Sequence, residues 1–319
     1  MTLKLLLFVA GIFFLYFGAD WFVKGSSRIA AILKVTPLVI GLTVVAFGTS
    51  APELVVSIIA SFKNEPDITL GNVIGSNIAN IGLVLGISAL IARLNCQVRT
   101  IRREIPMMIL SSILLLVLAI DGEISASNGI LLILGIILFI LYSYKSMSDE
   151  RALIPEEVRE EYKKLTKPKE DKIGHVIMLS ALGLGLLLLG AHLIIDSAVY
   201  LADELGVSRK IIALSMVAVG TSLPELATSA VAVKRGEHDI SIGNIIGSSI
   251  FNLLCVIGVI ATISPIRVSG NFTWDFLVML VMSVILIPMI GSKSSIARYE
   301  GALLLILYSV YIGWLASQI

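Results

Sequence analysis

Ala46-Phe47-Gly48-Thr49-Ser50-Ala51-Pro52-Glu53-Leu54 recurs 172 residues later as Ala218-Val219-Gly220-Thr221-Ser222-Leu223-Pro224-Glu225-Leu226. Around this pair, residues 37–86 align with 209–258 without a gap, and 24 of the 50 positions are identical. A second block, Gly71-Asn72-Val73-Ile74-Gly75-Ser76, returns as Gly243-Asn244-Ile245-Ile246-Gly247-Ser248, and Gly18-Ala19 returns as Gly190-Ala191. The strongest identities are polar and lie inside apolar runs, so the duplication has kept a chemistry and not merely a packing surface.

The surroundings of these blocks fix the solvent. Of 319 residues, 57% are hydrophobic and 15% charged, whereas soluble domains carry about 45–50% apolar and about 25% charged residues. A membrane-crossing helix needs about 20 apolar residues. Ten such segments can be read, at roughly 3–23, 36–62, 68–92, 105–120, 124–144, 173–202, 209–233, 240–263, 272–290 and 296–317. The first has no small-residue cleavage site of the signal-peptide kind and has a counterpart in the sixth, so it reads as a helix. The expected fold is an all-α membrane protein of ten transmembrane helices.

Each half holds five spans. An odd number sends the second half into the membrane from the opposite side, which gives two inverted five-helix repeats, an architecture common among secondary transporters. The expected organisation is a first repeat over 1–146, a hydrophilic linker over 147–172 and a second repeat over 173–319. Placing the loops on alternating sides puts 19 of the 24 Lys and Arg on the side of the linker. That side is expected to be cytoplasmic, with both termini extracellular and the chain a multi-pass protein of the cell membrane.

Glu53 and Glu225 fall deep within spans 2 and 7, where a charge costs at least about 2.5–3.5 kcal/mol and usually faces a cavity or partner. No Lys or Arg lies near mid-span to neutralise them, which leaves a bound cation or a proton. Thr49 and Ser50, like Thr221 and Ser222, precede their carboxylate by four and three residues and so share its helical face. Pro52 and Pro224 remove a donor and clash with the carbonyl four residues back, so each helix should break near Gly48 or Gly220 and turn carbonyls from Ala46 and Ala218 onward toward the cavity. Hydroxyls, carbonyls and carboxylates form an all-oxygen set suited to hard cations such as Ca²⁺ and Na⁺.

Spans 3 and 8 offer a second wall, with Asn72, Ser76 and Asn80 spaced by four and Asn244, Ser248 and Asn252 repeating them. Asn72 and Asn244, near the helix starts, read equally as packing glue. Ser57 and Ser229 continue the carboxylate face by one turn. Asp20 and His192 occupy equivalent positions near span ends and read as interfacial, as do Trp21, Trp274 and Trp314.

The doubled G-T-S-x-P-E and G-N-x-x-G-S-x-x-x-N blocks resemble the two repeats of the sodium/calcium exchanger family, within the cation/calcium antiporters. The resemblance, which is to a prokaryotic-type member, implies a calcium site made by Glu53 and Glu225 with the backbone oxygens of Thr49 and Thr221. It implies flanking sodium sites using Ser50, Ser76, Ser222 and Ser248 with the carbonyls of Ala46 and Ala218, and a central region completed by Asn80 and Asn252. Potassium-dependent relatives carry an aspartate where this chain has Asn252, although some sodium-only relatives also have an acid there. Proton/calcium antiporters resemble G-N-x-x-E around the first carboxylate instead, so Gly48-Thr49-Ser50-Ala51-Pro52-Glu53 favours sodium.

Other classes fit less well. The net charge of +1 gives no basic excess for nucleic acid, and Cys96, Cys255 and three scattered histidines form no metal or disulfide pattern. No nucleophile–base pair or HExxH lies in the spans, so the chain is not expected to be an enzyme. The expected activity is exchange of Na⁺ for Ca²⁺ by alternating access, with both ions bound as transported substrates, no cofactor, the lipid bilayer as surroundings and no obligate protein partner. The alternatives are a proton/calcium antiporter and a potassium-dependent exchanger.

Overall fold

The computed structural model describes residues 1–96, 100–152, 173–205, 220–268, 272–291 and 294–317. Most of the expected linker, the first part of the seventh span and Ala218 lie outside the described residues. The rest is helical: α1 (Thr2–Leu33), α2 (Pro37–Thr49), α3 (Ala51–Phe62), α4 (Pro66–Ile91), α5 (Ile105–Leu118), α6 (Ala126–Ala152), α7 (Ile173–Glu204), α8 (Leu223–Lys234), α9 (His238–Ile263), α10 (Thr273–Gly291) and α11 (Arg298–Ser317). Among the described residues, seven helices are long and apolar enough to cross a membrane, and the bent pair α2–α3 makes an eighth.

The helices fall into a centre and a periphery. In α4 and α9, 72% and 83% of the most apolar window is buried, against 17% in α1. The two central helices therefore hold the polar blocks away from lipid, while α1 presents Leu6, Phe13 and Phe17 outward. Both central helices carry a π-turn, at Asn80–Leu85 in α4 and at Asn252–Val256 in α9. The two turns begin at equivalent asparagines. Such bulges widen a helix by one residue and are frequent at functional sites.

At the periphery α1 and α7 pack as an antiparallel pair. Gly18 lies against the backbone of Leu186 and Leu187, Gly11 against Gly190, and Gly183 against Trp21 and Phe22. Gly11 and Gly18 are the repeat equivalents of Gly183 and Gly190, so each helix uses the same small positions to admit the other's backbone.

Four two-residue strands reveal the relation between the halves. β1 (Leu94–Asn95) pairs antiparallel with β4 (Ser295–Ile296), and β2 (Glu123–Ile124) pairs with β3 (Ile266–Arg267). Adding 172 to β1 gives β3, and adding 172 to β2 gives β4. One ribbon therefore maps onto the other with the partners exchanged, as a two-fold relation between repeats requires. Each ribbon joins a loop of one half to a loop of the other.

Candidate ion-binding site

The helix of the second span breaks where its sequence suggests, two residues beyond Gly48. α2 ends at Thr49, Ser50 takes φ −84° and ψ 6°, and α3 leaves at an angle of 42° with Pro52 in its first turn. Ser222 takes φ −83° and ψ 1° before α8, whose first turn holds Pro224. Proline at these positions needs no amide hydrogen bond and sets the helical φ, so it starts the second helix cleanly. The bend places Glu53 and Glu225 in the first turns of α3 and α8, where free backbone N–H groups favour negative charge.

The Ala46 carbonyl, expected to be freed by the bend, keeps its helical hydrogen bond, but it also faces the opposite repeat. It accepts from the Ser50 amide at 3.0 Å and from the Ser248 hydroxyl of α9 at 3.5 Å.

Around the bends the two halves exchange partners. Thr49 donates to Asn244 Oδ1 at 3.0 Å and shares a hydrogen bond with Ser248 at 3.2 Å. Its counterpart Thr221 donates to Asn72 Oδ1 at 3.4 Å and shares one with Ser76 at 3.2 Å. Asn72 Nδ2 donates to the Glu53 carbonyl and to Ser57 Oγ, each at 3.1 Å. Asn244 Nδ2 repeats this with the Glu225 carbonyl at 3.4 Å and Ser229 Oγ at 3.0 Å. Each asparagine thus fixes the backbone of the carboxylate in its own repeat and the threonine of the other. Asn72 and Asn244 belong to the site, a role that their four-residue spacing from Ser76 and Ser248 hinted at but did not decide.

The two carboxylates lie near one another inside this frame. Glu53 faces Thr221 and Ser76, and Glu225 faces Ser50, Thr49 and Ser248. Ser50 Oγ donates to Glu225 Oε1 at 3.1 Å. Both oxygens of Glu53, Oε2 of Glu225 and both amide atoms of Asn80 and of Asn252 are buried without a hydrogen-bond partner. Thr49, Ser50, Ser76, Ser248 and both carboxylates are fully enclosed, and Thr221 and Ser222 nearly so.

Seven orphaned polar atoms around two buried acids would be very costly if nothing engaged them. Among the described residues neither acid forms an ion pair, and no group of three or more His, Cys, Asp and Glu gathers anywhere. The donor set is therefore hard oxygen: carboxylates, hydroxyls, amide oxygens and a bend carbonyl. It suits Ca²⁺ and Na⁺ over transition metals. Of the residues singled out in the sequence, the structure brings together Thr49, Ser50, Glu53, Ser76, Thr221, Glu225 and Ser248. Ala46 also faces the network, Ser222 immediately precedes α8, and Asn80 and Asn252 open the π-turns of the flanking helices. Asp20, by contrast, pairs with Arg235 outside the site.

Comparison with known proteins bears on the family of the chain. The profile of the family described as sodium/calcium exchanger protein matches residues 3–145 and 175–316, one stretch in each half. The sodium/calcium exchanger MaX1 of Methanosarcina acetivorans is 30% identical over 346 aligned positions, covering 98% of both chains. Inner membrane protein YrbG of Escherichia coli is 35% identical over 287, covering 89% of this chain and 88% of that one. A solved structure of the sodium–calcium exchanger NCX_Mj, soaked with 2.5 mM Na⁺ and 0.1 mM Ca²⁺, superposes with a TM-score of 0.83 at 34% identity, covering 98% of each chain. With both halves matched by the family profile and relatives of this identity over nearly its whole length, the chain belongs to the sodium/calcium exchanger family.

Proposed function

We propose that the protein exchanges Na⁺ for Ca²⁺ across the cell membrane by alternating access. The observation that carries this reading is the buried Glu53–Glu225 pair, one acid from each repeat, with three carboxylate oxygens that have no hydrogen-bond partner. One Ca²⁺ matches the pair's charge of −2, and the threonine carbonyls at the two bends would complete its shell of 6–8 oxygens. Sodium ions would use Ser50, Ser76, Ser222 and Ser248 with the carbonyls of Ala46 and Ala218. The neutral Asn80 and Asn252 would line the centre. Relatives named as sodium/calcium exchangers support the choice of ions.

The same reading takes ten spans in two inverted repeats, the exchanged ribbons being its best support. It sets both termini outside and the linker in the cytoplasm, following the excess of Lys and Arg on that side.

The test is radiolabelled calcium uptake into vesicles holding the purified protein. Uptake driven by an outward sodium gradient at clamped pH, and absent with a proton gradient at equal sodium, is the expected result. Uptake driven by protons alone would establish the proton/calcium alternative.

A further inference from the structure

Outside the ion site, symmetry between the repeats is broken where the turn between α8 and α9 meets α1, and there the contacts are strong. The turn between α8 and α9 is tied to the lipid-facing helix α1 by three polar contacts. Arg235 Nε donates to Asp20 Oδ1 at 2.7 Å, and a second guanidinium nitrogen reaches the same oxygen. Ser27 Oγ donates to Glu237 Oε1 at 2.7 Å. Lys234 Nζ lies 5.3 Å from the centre of the Tyr16 ring, within cation–π range. The Asp20 and Arg235 side chains are 24% and 34% exposed, so the pair is partly shielded from water.

The repeat predicts where the matching contacts would be. Adding or subtracting 172 turns Asp20–Arg235 into His192–Lys63, Ser27–Glu237 into Val199–Glu65, and Tyr16–Lys234 into Leu188–Phe62. Two bases cannot form an ion pair, valine has no donor, and two apolar chains replace the cation–π contact. At the opposite end, between α7 and the turn joining α3 to α4, the matching positions therefore cannot form the same clasp.

We propose that Asp20–Arg235, with Ser27–Glu237 and Lys234–Tyr16, is a one-sided latch between the α1–α7 pair and the α8–α9 turn that biases the exchanger toward one of its two access states. The proposal rests on the alternating-access reading above. The physical argument is short. In a transporter of two like halves, the two access states are related by exchanging the halves, so contacts made equally in both states cancel from their free-energy difference. Contacts made by one half only do not cancel. If α1 moves along α8 between the access states, Asp20 separates from Arg235, and the matching residues His192 and Lys63 cannot form an ion pair to compensate. Conformational bias then resides in residues that touch no ion.

The test measures the apparent calcium affinity on each face of oriented proteoliposomes by calcium–calcium exchange, for parent, Asp20→Asn, Arg235→Gln and the double variant. A partly exposed pair is worth about 0.2–1 kcal/mol, so the ratio of the two affinities should move by roughly 1.5- to 5-fold in each single variant. Both singles should move it in the same direction. The double variant should move it no further than either single, because the pair is broken once, and the exchanged pair Asp20→Arg with Arg235→Asp should return it toward the parent value. His192→Asn and Lys63→Gln, at the matching positions, should leave the ratio unchanged. A ratio unmoved in the singles, or additive shifts in the double, would overturn the latch. Absence of any exchange in the parent protein would instead overturn the transport reading, so the two failures are distinct.

Discussion

Replacing Glu53 by glutamine keeps the shape of the side chain and removes one of two charges. A calcium ion held at about 2.4 Å from a carboxylate oxygen gains roughly 14 kcal/mol of attraction at an effective dielectric of about 20. The desolvation of ion and acid, and the dipole of the replacing amide, offset most of that. If about a quarter survives, the loss is roughly 3 kcal/mol, or at least a hundred-fold in calcium affinity. The fold should persist. Glu53 has no hydrogen-bond partner to lose at either oxygen, and the Thr221 and Ser76 hydroxyls lie close enough to meet the new amide. The same holds for Glu225→Gln, whose amide oxygen can still accept from Ser50. Two readouts separate folding from binding. Melting of the detergent-solubilised protein without calcium should be unchanged or slightly higher, since one of two facing acids is neutral. The rise in Tm that calcium gives the parent, set by RT ln(1 + [Ca²⁺]/Kd), should be lost together with vesicle flux. Sodium-driven calcium flux near the parent rate in either variant would refute the site.

Potassium should be dispensable: with Asn252 neutral, sodium-driven calcium flux in choline medium should not change when potassium is added, and a strict requirement would overturn that expectation. Sodium should compete with calcium, shifting the calcium isotherm without lowering its maximum; a calcium affinity indifferent to saturating sodium would require separate pathways. In the α1–α7 contact, Gly190→Ala would set a methyl 2.8 Å from the Gly11 carbonyl oxygen, while Gly185 has nothing within 4 Å. Overpacking costs typically about 1–3 kcal/mol, so Gly190→Ala should lower Tm by several degrees and Gly185→Ala should not; equal effects would mean the contact is loose. Burial, with Asp239 and Glu300 nearby, pushes the Cys96 thiol up to about 12, so at pH 8 only about one molecule in 10⁴ is thiolate. In a Cys255→Ser background, maleimide should label the folded protein roughly a thousand-fold more slowly than an open thiol of ordinary pKa, and rapid labelling would contradict the burial.

The parts of this molecule written in local sequence were legible. Runs of apolar residues gave the helices, the 172-residue repeat paired them, Pro52 marked the bend at Ser50, and Pro224 marked the start of α8 after Ser222. A buried acid without a nearby base identified Glu53 and Glu225 from cost alone. What stayed hidden depends on partners far away in the chain. Leu94 and Ile296 carry no strand signal, because a two-residue ribbon is made by its neighbour and not by its own propensity. The π-turns beginning at Asn80 and Asn252 lack a local breaker such as proline. Asp20 looked like one more interfacial residue until the fold brought Arg235, 215 positions away, against it. Asn72 and Asn244 could be told from packing glue only once their amides were seen bonded to the carbonyls of Glu53 and Glu225.

The exchange of partners has a mechanical consequence under the proposed transport cycle. Thr49 is held by Asn244 and Ser248, and Thr221 by Asn72 and Ser76. The threonine beside each carboxylate is therefore gripped by the opposite repeat, and an ion drawing either carboxylate inward pulls on helices from both halves. Electrostatics then decides which loads permit movement. An empty pair with both acids ionised would carry −2 into a low-dielectric interior, where close like charges repel strongly. One Ca²⁺ or two Na⁺ would cancel that charge, and a third Na⁺ would leave +1 and make the exchange electrogenic. Passage between access states is favoured when the pair is neutral or nearly so, and disfavoured when it is empty. Two fluxes that share one pair of acids are thereby coupled without contact between the two kinds of ion. The neutral Asn80 and Asn252 keep the count at two, since an acid at either position would leave the calcium-loaded site negative.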